Sequence, residues 1–381
     1  MVYYCMVLCM LAISVLWWRL ADRRLSTLKY APIWRALLAV FITAAIVFPI
    51  GANYLGSSLP PFLPAIGWMW HGFGAAFGVA WLMAFDLVHW IYTKRGRAKD
   101  RPVDLSRRHA LTAVVPPLVA AGLAGVCMEE FGQFRTHERQ LAVPGWPAEL
   151  SGFSIAVVAD VHTGPYTNQK MLDDIVARTN TIHNGGPADL VVLAGDLINT
   201  TLDDLPQALD MATALRGKLG TYAIMGNHDV MDSREDFIAG VRQAGIPLLL
   251  EQVETIHTPC GASVQLLGVD WGATDPLLWQ SVQRVTRRRD PLLFPICLAH
   301  HPHSWEAARG LGLPLMLSGH THGGQIMLTK DFGAGPLKFR YWSGVHRLDG
   351  STLVISNGVG DWFPLRVNAP AELLKVVLRP A

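Results

Sequence analysis

Charged residues are scarce in this chain of 381 residues: they make up 16% of it, while hydrophobic residues make up 51%. Soluble domains carry about a quarter charged residues. The shortage is uneven, because residues 1–150 hold 14 Lys and Arg against 8 Asp and Glu, whereas residues 151–381 hold 18 against 22. The composition predicts an apolar first unit that lies in a membrane and a mildly acidic second unit. The acidic balance argues against nucleic acid as the main ligand, since nucleic-acid binding depends on a basic surface.

Cysteine is also sparse, with five residues at positions Cys5, Cys9, Cys127, Cys260 and Cys297. Their spacing matches neither a disulfide scaffold nor a zinc knuckle. The first three lie in or beside apolar runs. A bridge between the last two is one interpretation, which requires an oxidising compartment. The favoured interpretation is two buried free thiols.

Long apolar runs are confined to the first third of the chain. A membrane-spanning helix needs about 20 mostly apolar residues. Four runs have about this length or more: residues 2–20, 36–55, 66–92 and 110–127. The last run contains Pro116 and Pro117, which membrane helices tolerate better than soluble ones do. The first run could instead be a signal peptide, but it lacks a positively charged start and a small-residue cleavage site. We therefore predict a bundle of about four transmembrane helices over residues 1–127.

Basic residues between the apolar runs predict the orientation of this bundle. The first and third loops hold five and seven Lys and Arg, and the second loop holds none. The positive-inside rule places the first and third loops in the cytoplasm, and hence the second unit outside the inner membrane. Arg107 and Arg108, directly after Ser106, also resemble a twin-arginine export signal. An ordinary basic loop explains the same residues equally well.

Two ionisable residues, Asp86 and His89, lie inside the third apolar run. Charges within a membrane are candidates for function. Both lie shortly before Lys94, so a position at the membrane interface is the favoured interpretation.

The pattern of the sequence changes after the apolar runs. Residues 128–150 are polar and contain Pro144 and Pro147, which predicts a linker or a short helix. From residue 151 onward, short apolar runs each end in polar residues, and residues 168–181 and 233–244 have the pattern of amphipathic helices. The predicted strands cover residues 153–159, 190–194, 221–225, 296–299 and 315–317, followed by 351–356 and 373–378. Such strands predict an α/β sheet with a site at their carboxyl ends.

The polar residues after five of these strands are the types that bind metals. In order they are Asp160-x-His162, Gly195-Asp196, Gly226-Asn227-His228-Asp229, His300-x-Pro302 and Gly319-His320-x-His322. Carboxylates, amides and imidazoles suit borderline-to-hard divalent cations. In an extended segment residues two apart point to one side, so Asp160 and His162 are expected to reach one ion. Glycines allow the backbone to bend closely around the site.

These motifs resemble those of the calcineurin-like metallophosphoesterase superfamily, and within it the membrane-anchored bacterial phosphoesterases. The resemblance covers residues 151–381, including Leu365-Arg366-Val367-Asn368-Ala369-Pro370 near the end. It implies a four-layer α/β/β/α sandwich with two metal ions between the sheets. It further implies a first ion held by Asp160, His162, Asp196 and His322 and a second ion held by Asp196, Asn227, His300 and His320. His228 would be the catalytic histidine, which Asp229 would orient.

Two positions of the resemblance leave a choice or depart from the family pattern. The family's His-x-Pro pattern selects His300 over its neighbour His301 as the ligand. His303 stands where the family often has an acidic residue, which would affect substrate contacts rather than the metals. An arginine group outside the motifs, Arg284, Arg287, Arg288 and Arg289, is either a contact for anionic lipid or substrate or a solvated helix end.

The expected activity is metal-dependent hydrolysis of a phosphoester or pyrophosphate in a lipid or envelope-linked substrate. The expected cofactors are two divalent ions of Mn, Fe or Zn, and the expected partners are the phosphorylated substrate and the lipid bilayer. One alternative is a phosphodiesterase acting on soluble small molecules or nucleotides. Another is a non-enzymatic envelope-binding protein with a structural metal site.

Overall fold

A computed structural model describes residues 2–26, 28–55, 60, 62–94 and 105–381. The chain forms two compact units, Met1–Glu129 and Glu130–Ala381. Most of the basic loop before the fourth apolar run, residues 95–104, lies outside the described residues, as do the side chains of Arg107 and Arg108.

The first unit is helical at each of the four predicted runs. Its elements are α1 (Val2–Leu25), α2 (Ala31–Leu55), α3 (Phe62–Met69), a π-helical turn (Trp70–Gly74), α4 (Ala75–Lys94) and α5 (Leu105–Glu130). Only Ala31–Gly51 and Phe62–Ile91, among the described residues, are long and apolar enough to cross a membrane. The apolar part of α5, Leu111–Cys127, is shorter. The structure therefore supports two spans, fewer than the predicted four.

An ion pair joins α1 to α4 inside this unit. The buried guanidinium of Arg24 donates to Asp86 Oδ1 at 2.5 Å and to the Leu82 carbonyl at 3.2 Å. In apolar surroundings, each charge of this pair offsets the energetic cost of burying the other. Asp86 thus has a structural partner within this unit.

The second unit contains two sheets, and the first of them has five strands. In spatial order these strands are β1 (Phe134–Val143), β13 (Ala371–Pro380), β2 (Phe153–Val158), β3 (Leu190–Ala194) and β4 (Thr221–Ile224). Strand β1 runs parallel to β13, with Phe134 opposite Ala371 and Val143 opposite Pro380. The predicted linker over residues 128–150 is therefore wrong for Phe134–Val143, because these residues supply an edge strand. Its Phe134, Leu141 and Val143 are buried, whereas most of the residues between them are exposed.

The second sheet has six strands. In spatial order they are β11 (Gly344–Leu348), β12 (Ser351–Ile355), β8 (Leu315–Ser318), β7 (Phe294–Leu298), β6 (Ser263–Gly268) and β5 (Gln252–His257). A small separate hairpin pairs β9 (Met327–Thr329) with β10 (Phe332–Gly333). The predicted strands near residues 296–299, 315–317 and 351–356 all belong to the six-stranded sheet.

Three apolar cores hold the layers together. One packs α6 (Gln169–Thr179), α7 (Leu205–Ala214) and α8 (Arg234–Gln243) against the five-stranded sheet. A second lies between the sheets, where Ile155 and Val192 of one sheet pack with Leu266 and Leu298 of the other. The third packs α9 (Asp275–Arg287) and α10 (Ser304–Gly310) against the six-stranded sheet. The order of layers is α/β/β/α, as the resemblance implies.

The fold decides between the cysteine alternatives and shows contacts for two of the four arginines. Cys260 is an exposed free thiol in a turn and Cys297 is a buried free thiol in β7, so the two do not form a bridge and only the second is buried. Arg284 and Arg288 both bond to Glu251, at 2.5–2.7 Å. These two arginines therefore have a structural role at the carboxyl end of α9.

Candidate metal centre

The loops that carry the predicted ligands leave the carboxyl ends of strands in both sheets. Strands β2, β3 and β4 supply them from one sheet, and β7 and β8 supply them from the other. Six of the seven predicted ligands fall into groups whose ligand atoms lie within 4.8 Å of one another. We call Asp160, His162 and His322 the first cluster and Asp196, His300 and His320 the second cluster.

The first cluster is buried. His162 Nε2 lies 3.0 Å from His322 Nε2, and His322 Nε2 lies 3.5 Å from Asp160 Oδ1. The second cluster is similarly tight, since His300 Nε2 lies 3.1 Å from Asp196 Oδ2 and 3.3 Å from His320 Nδ1. The structure thus separates His320 from His322 into adjoining clusters.

Asp196 lies where the two clusters meet. Its Oδ2 atom is 3.1 Å from His300 of the second cluster and 3.7 Å from His162 of the first. A third group of possible ligands combines His162, Asp196 and His228. A carboxylate in this position has oxygens available to both clusters.

The backbone at these ligands is strained, which differs from the extended conformation expected from the sequence. Five ligands have positive φ angles: Asp160 (54°), His162 (48°), Asp196 (55°), His320 (76°) and His322 (49°). Left-handed conformations of residues other than glycine are uncommon and concentrate at functional sites. The ligand side chains therefore converge because the chain turns sharply after each strand. The alternation of side chains along an extended strand does not explain their convergence.

Glycines make room for this convergence. A Cβ at Gly195, whose φ is 89°, would lie 2.5 Å from His300 Nδ1. A Cβ at Gly358, whose φ is 76°, would lie 2.6 Å from the Asp160 Cβ. Both the backbone angle and the space therefore require glycine at these two positions.

Burial sets the protonation of the ligands. It lowers the pKa of His162, His320 and His322 well below the usual value, and neighbouring cationic groups lower each further. These rings are therefore neutral, the form that binds metals. Burial raises the pKa of Asp160 to about 7, although the positive charge of His300 acts to lower it. A divalent cation would stabilise the carboxylate form of Asp160.

Asp196 and His300 form a charged pair within the second cluster. Burial opposes charge on both groups, but His300 and His228 lower the pKa of Asp196. In turn, the carboxylates of Asp196 and Asp160 overcome burial and raise the pKa of His300 to about 9. The carboxylate of Asp196 is therefore in its charged, metal-binding form.

Asp229 does not orient His228 in this structure, contrary to the expectation from the family. Its carboxylate accepts hydrogen bonds from the backbone N–H groups of Asp196, Leu197, Ile198 and Gly226, at 2.7–3.2 Å. It therefore fixes the loop that carries Asp196. The His228 ring is oriented by a hydrogen bond from its Nδ1 to the Asn199 carbonyl. Nothing in the order of the motifs indicated a role for Asn199, because this contact depends on the folded loop.

Arg366 is the second residue that the sequence did not assign to the site. Its buried guanidinium pairs with Asp361 at 2.5 Å, and it donates to the carbonyls of Gly360, Asn357 and Ala369 at 2.7–3.0 Å. It also donates to His322 Nδ1 at 2.9 Å. Because an arginine side chain can only donate, Nδ1 of His322 is the acceptor of this hydrogen bond. The neutral His322 ring therefore carries its proton on Nε2, and a cation bound at Nε2 would displace that proton. In the sequence, Arg366 was marked only by the motif Leu365–Pro370, to which the resemblance assigned no role.

The residues present fit divalent cations. Beyond the two clusters, the buried Asn227 Oδ1 has no hydrogen-bond partner among the described residues, although buried amide oxygens normally have one. The next residue, His228, donates its backbone N–H to Asp196 Oδ1 at 2.8 Å, which ties Asn227 to the second cluster. The structure also places His300 in this cluster, whereas His301 Nδ1 accepts a hydrogen bond from the His303 N–H.

Two facing sheets carry adjoining aspartate and histidine clusters at their strand ends, and these clusters are able to hold metal ions. Residues 153–324 match the family model of the calcineurin-like phosphoesterases. This segment is therefore similar to a family of hydrolases that act on ester bonds.

Relatives extend this comparison beyond the domain. The chain is 27% identical to "Phosphodiesterase YaeI" of Escherichia coli (strain K12), over 72% of this chain and 99% of the relative. It is 26% identical to proteins named "Transmembrane protein with metallophosphoesterase domain" from Danio rerio and Bos taurus, over 64% and 78% of this chain. It spans 56% and 68% of the lengths of these two relatives. Together with the two apolar helical stretches, these relatives indicate a membrane protein.

Proposed function

We propose that this protein is a membrane-anchored hydrolase that cleaves a phosphoester or pyrophosphate bond at a binuclear metal site, in a lipid or envelope-linked substrate. The position of Asp196 between the two clusters carries this proposal, because a shared carboxylate suits two adjacent ions. The ligands we assign to the first ion are Asp160, His162, Asp196 and His322, and those to the second are Asp196, Asn227, His300 and His320. When bound, two divalent ions supply Lewis-acid polarisation of the phosphoryl group and a nucleophile formed from water.

His228 is the residue that we assign to proton transfer. Its ring is partly exposed, unlike the buried first cluster, and its centroid lies 4.5 Å from that of His162. The hydrogen bond from Nδ1 to the Asn199 carbonyl fixes the ring and leaves Nε2 available. From this position a protonated ring donates to the phosphoryl oxygen or to the leaving group.

A phosphodiester in a lipid is the substrate class that we favour. The name of the bacterial relative, a phosphodiesterase, supports the diester. The apolar helices support a lipid, because they keep the domain near a bilayer. We further propose four membrane crossings and an extracytoplasmic domain, on the basis of the basic loops. A reporter fused after Ala381 that is active only in the cytoplasm would contradict this orientation.

Replacing His228 by alanine tests the proposed role. With the full-length chain in detergent and a phosphodiester that has an alkoxide leaving group, we expect kcat to fall about a hundredfold. The loss should be smaller for bis-p-nitrophenyl phosphate, because nitrophenolate leaves without a proton. The control is His257→Ala, at an exposed histidine of β5, which should change neither rate. An equal loss for both leaving groups, or a loss of bound metal, would show that His228 is not the proton donor.

A further inference from the structure

The segment from residue 326 to residue 338, here called the site hairpin, leaves the metal centre and returns to it. It begins one residue beyond the turn His322–Gly324 and contains β9, β10 and the short helix α11 (Ala334–Lys338). Phe339, which follows it, places its ring centroid 5.6 Å from that of His320. Both ends of the hairpin are therefore fixed beside the clusters.

The site hairpin carries large apolar side chains on its surface. Leu328, Phe332 and Leu337 are 67%, 58% and 80% exposed. Single exposed apolar residues are common, but three large ones within ten residues that adjoin a candidate site are a candidate binding surface. Their neighbours Met327 and Gly333 are buried, so the backbone of the hairpin is packed while its apolar side chains point outward.

The charged residues of the site hairpin are two lysines and one aspartate, which lies 3.8 Å from Lys330 Nζ. Lys330 and Lys338 are both exposed, and Asp331 is the one acidic residue of the segment. Apolar side chains interleaved with lysines are typical of surfaces that lie in the headgroup region of anionic membranes. One further exposed aromatic residue, Trp362, lies near the site, since its ring centroid is 6.0 Å from that of His228.

We propose that the site hairpin docks the metal centre on an anionic lipid bilayer, with Leu328, Phe332 and Leu337 in the acyl boundary and the lysines at the headgroups. This proposal rests on the proposed phosphoester hydrolysis and specifies its substrate as a lipid in the plane of the membrane. A bilayer fits better than a protein partner, because the same chain carries helices long and apolar enough to lie in one. The docked hairpin brings lipid headgroups to the clusters at its two ends.

The experiment uses the full-length chain in nanodiscs of phosphatidylcholine mixed with phosphatidylglycerol. Two substrates share a p-nitrophenyl phosphodiester and differ only in the other ester group, which is ethyl or hexadecyl. The triple variant Leu328→Ser, Phe332→Ser, Leu337→Ser should lose about tenfold or more in kcat/KM for the hexadecyl ester, since its apolar side chains no longer enter the bilayer. Its rate on the ethyl ester should stay within about twofold of the wild-type rate, because these exposed side chains lie outside both clusters.

A matched control and a charge variant separate docking from damage to the fold. The control is Leu292→Ser, whose side chain is 89% exposed before the amino end of β7, away from the strand ends that hold the clusters. It should change neither rate. The variant Lys330→Glu, Lys338→Glu should lose hexadecyl turnover in the mixed nanodiscs but match the wild type in nanodiscs of phosphatidylcholine alone.

Three results would have distinct meanings. Loss of hexadecyl turnover alone, with the lipid dependence of the charge variant, supports docking on the bilayer. Equal rates for the triple variant and the wild type on the hexadecyl ester overturn it and leave the surface to a protein partner. Absence of turnover of both esters by the metal-loaded wild type would instead contradict the proposed hydrolysis.

Discussion

Replacing Asp196 by alanine should lower the hydrolysis of bis-p-nitrophenyl phosphate by about four orders of magnitude, which corresponds to about 5 kcal/mol of transition-state stabilisation. The expected loss is this large because Asp196 lies between the clusters, 3.1 Å from His300 and 3.7 Å from His162. Its Oδ1 also accepts the backbone N–H of His228. One substitution therefore affects both metal positions and the proposed proton donor.

The measurement for Asp196→Ala combines turnover with the number of ions bound to the full-length chain in detergent. We expect fewer than two bound ions per chain together with the loss of turnover. The matched control is Asp210→Ala, at an exposed carboxylate of α7, which should retain both. Wild-type turnover in the Asp196 variant would mean that no ion essential to the reaction depends on this carboxylate.

Replacing Arg366 by alanine should destabilise the domain by about 3–5 kcal/mol, because it leaves the buried Asp361 carboxylate without its partner. It should also weaken metal binding about 10- to 100-fold, because the hydrogen bond that orients His322 is lost. For a domain of this size the loss of stability corresponds to a drop of about 6–20 °C in the midpoint of thermal unfolding.

Two further variants show whether these effects belong to the guanidinium. Arg366→Lys keeps the positive charge but loses the several N–H donors of the guanidinium. Compared with Arg366→Ala, we expect it to recover part of the stability and little of the metal affinity. Arg242→Ala, at an exposed arginine in the last turn of α8, should leave both properties unchanged. An Arg366→Ala protein that unfolds at the wild-type temperature would show that this buried network does not stabilise the domain.

The strands that support the site were predictable because each is a short, fully buried apolar run that ends in polar residues. For β3 the predicted bounds, residues 190–194, are those of the structure. Strand β1 was missed because it lies at the sheet edge, where most of its residues are exposed and only a few apolar ones are buried. Its partner β13 is more than 200 residues away in the chain, so local pattern gave no sign of the pairing.

The candidate ligands were found because their residue types follow the strands in a distinctive order, and the structure brings six of them into clusters. Their ligand roles remain predictions. The supporting contacts were not predictable, since the hydrogen bonds that Asp229 and Asn199 accept and that Arg366 donates form only when distant loops meet. The left-handed backbone at Asp160 and its counterparts was hidden for the same reason, because aspartate and histidine adopt such angles more often than most residues but still only in a minority of positions.

The most direct test of the binuclear site is a metal titration. The full-length chain in detergent is stripped with a chelator, and Mn²⁺ is added back while bound ions per chain and hydrolysis of bis-p-nitrophenyl phosphate are measured together. The binuclear account predicts that turnover reaches its plateau only when two ions are bound. Full turnover with a single ion, or no turnover with two ions bound, would contradict it.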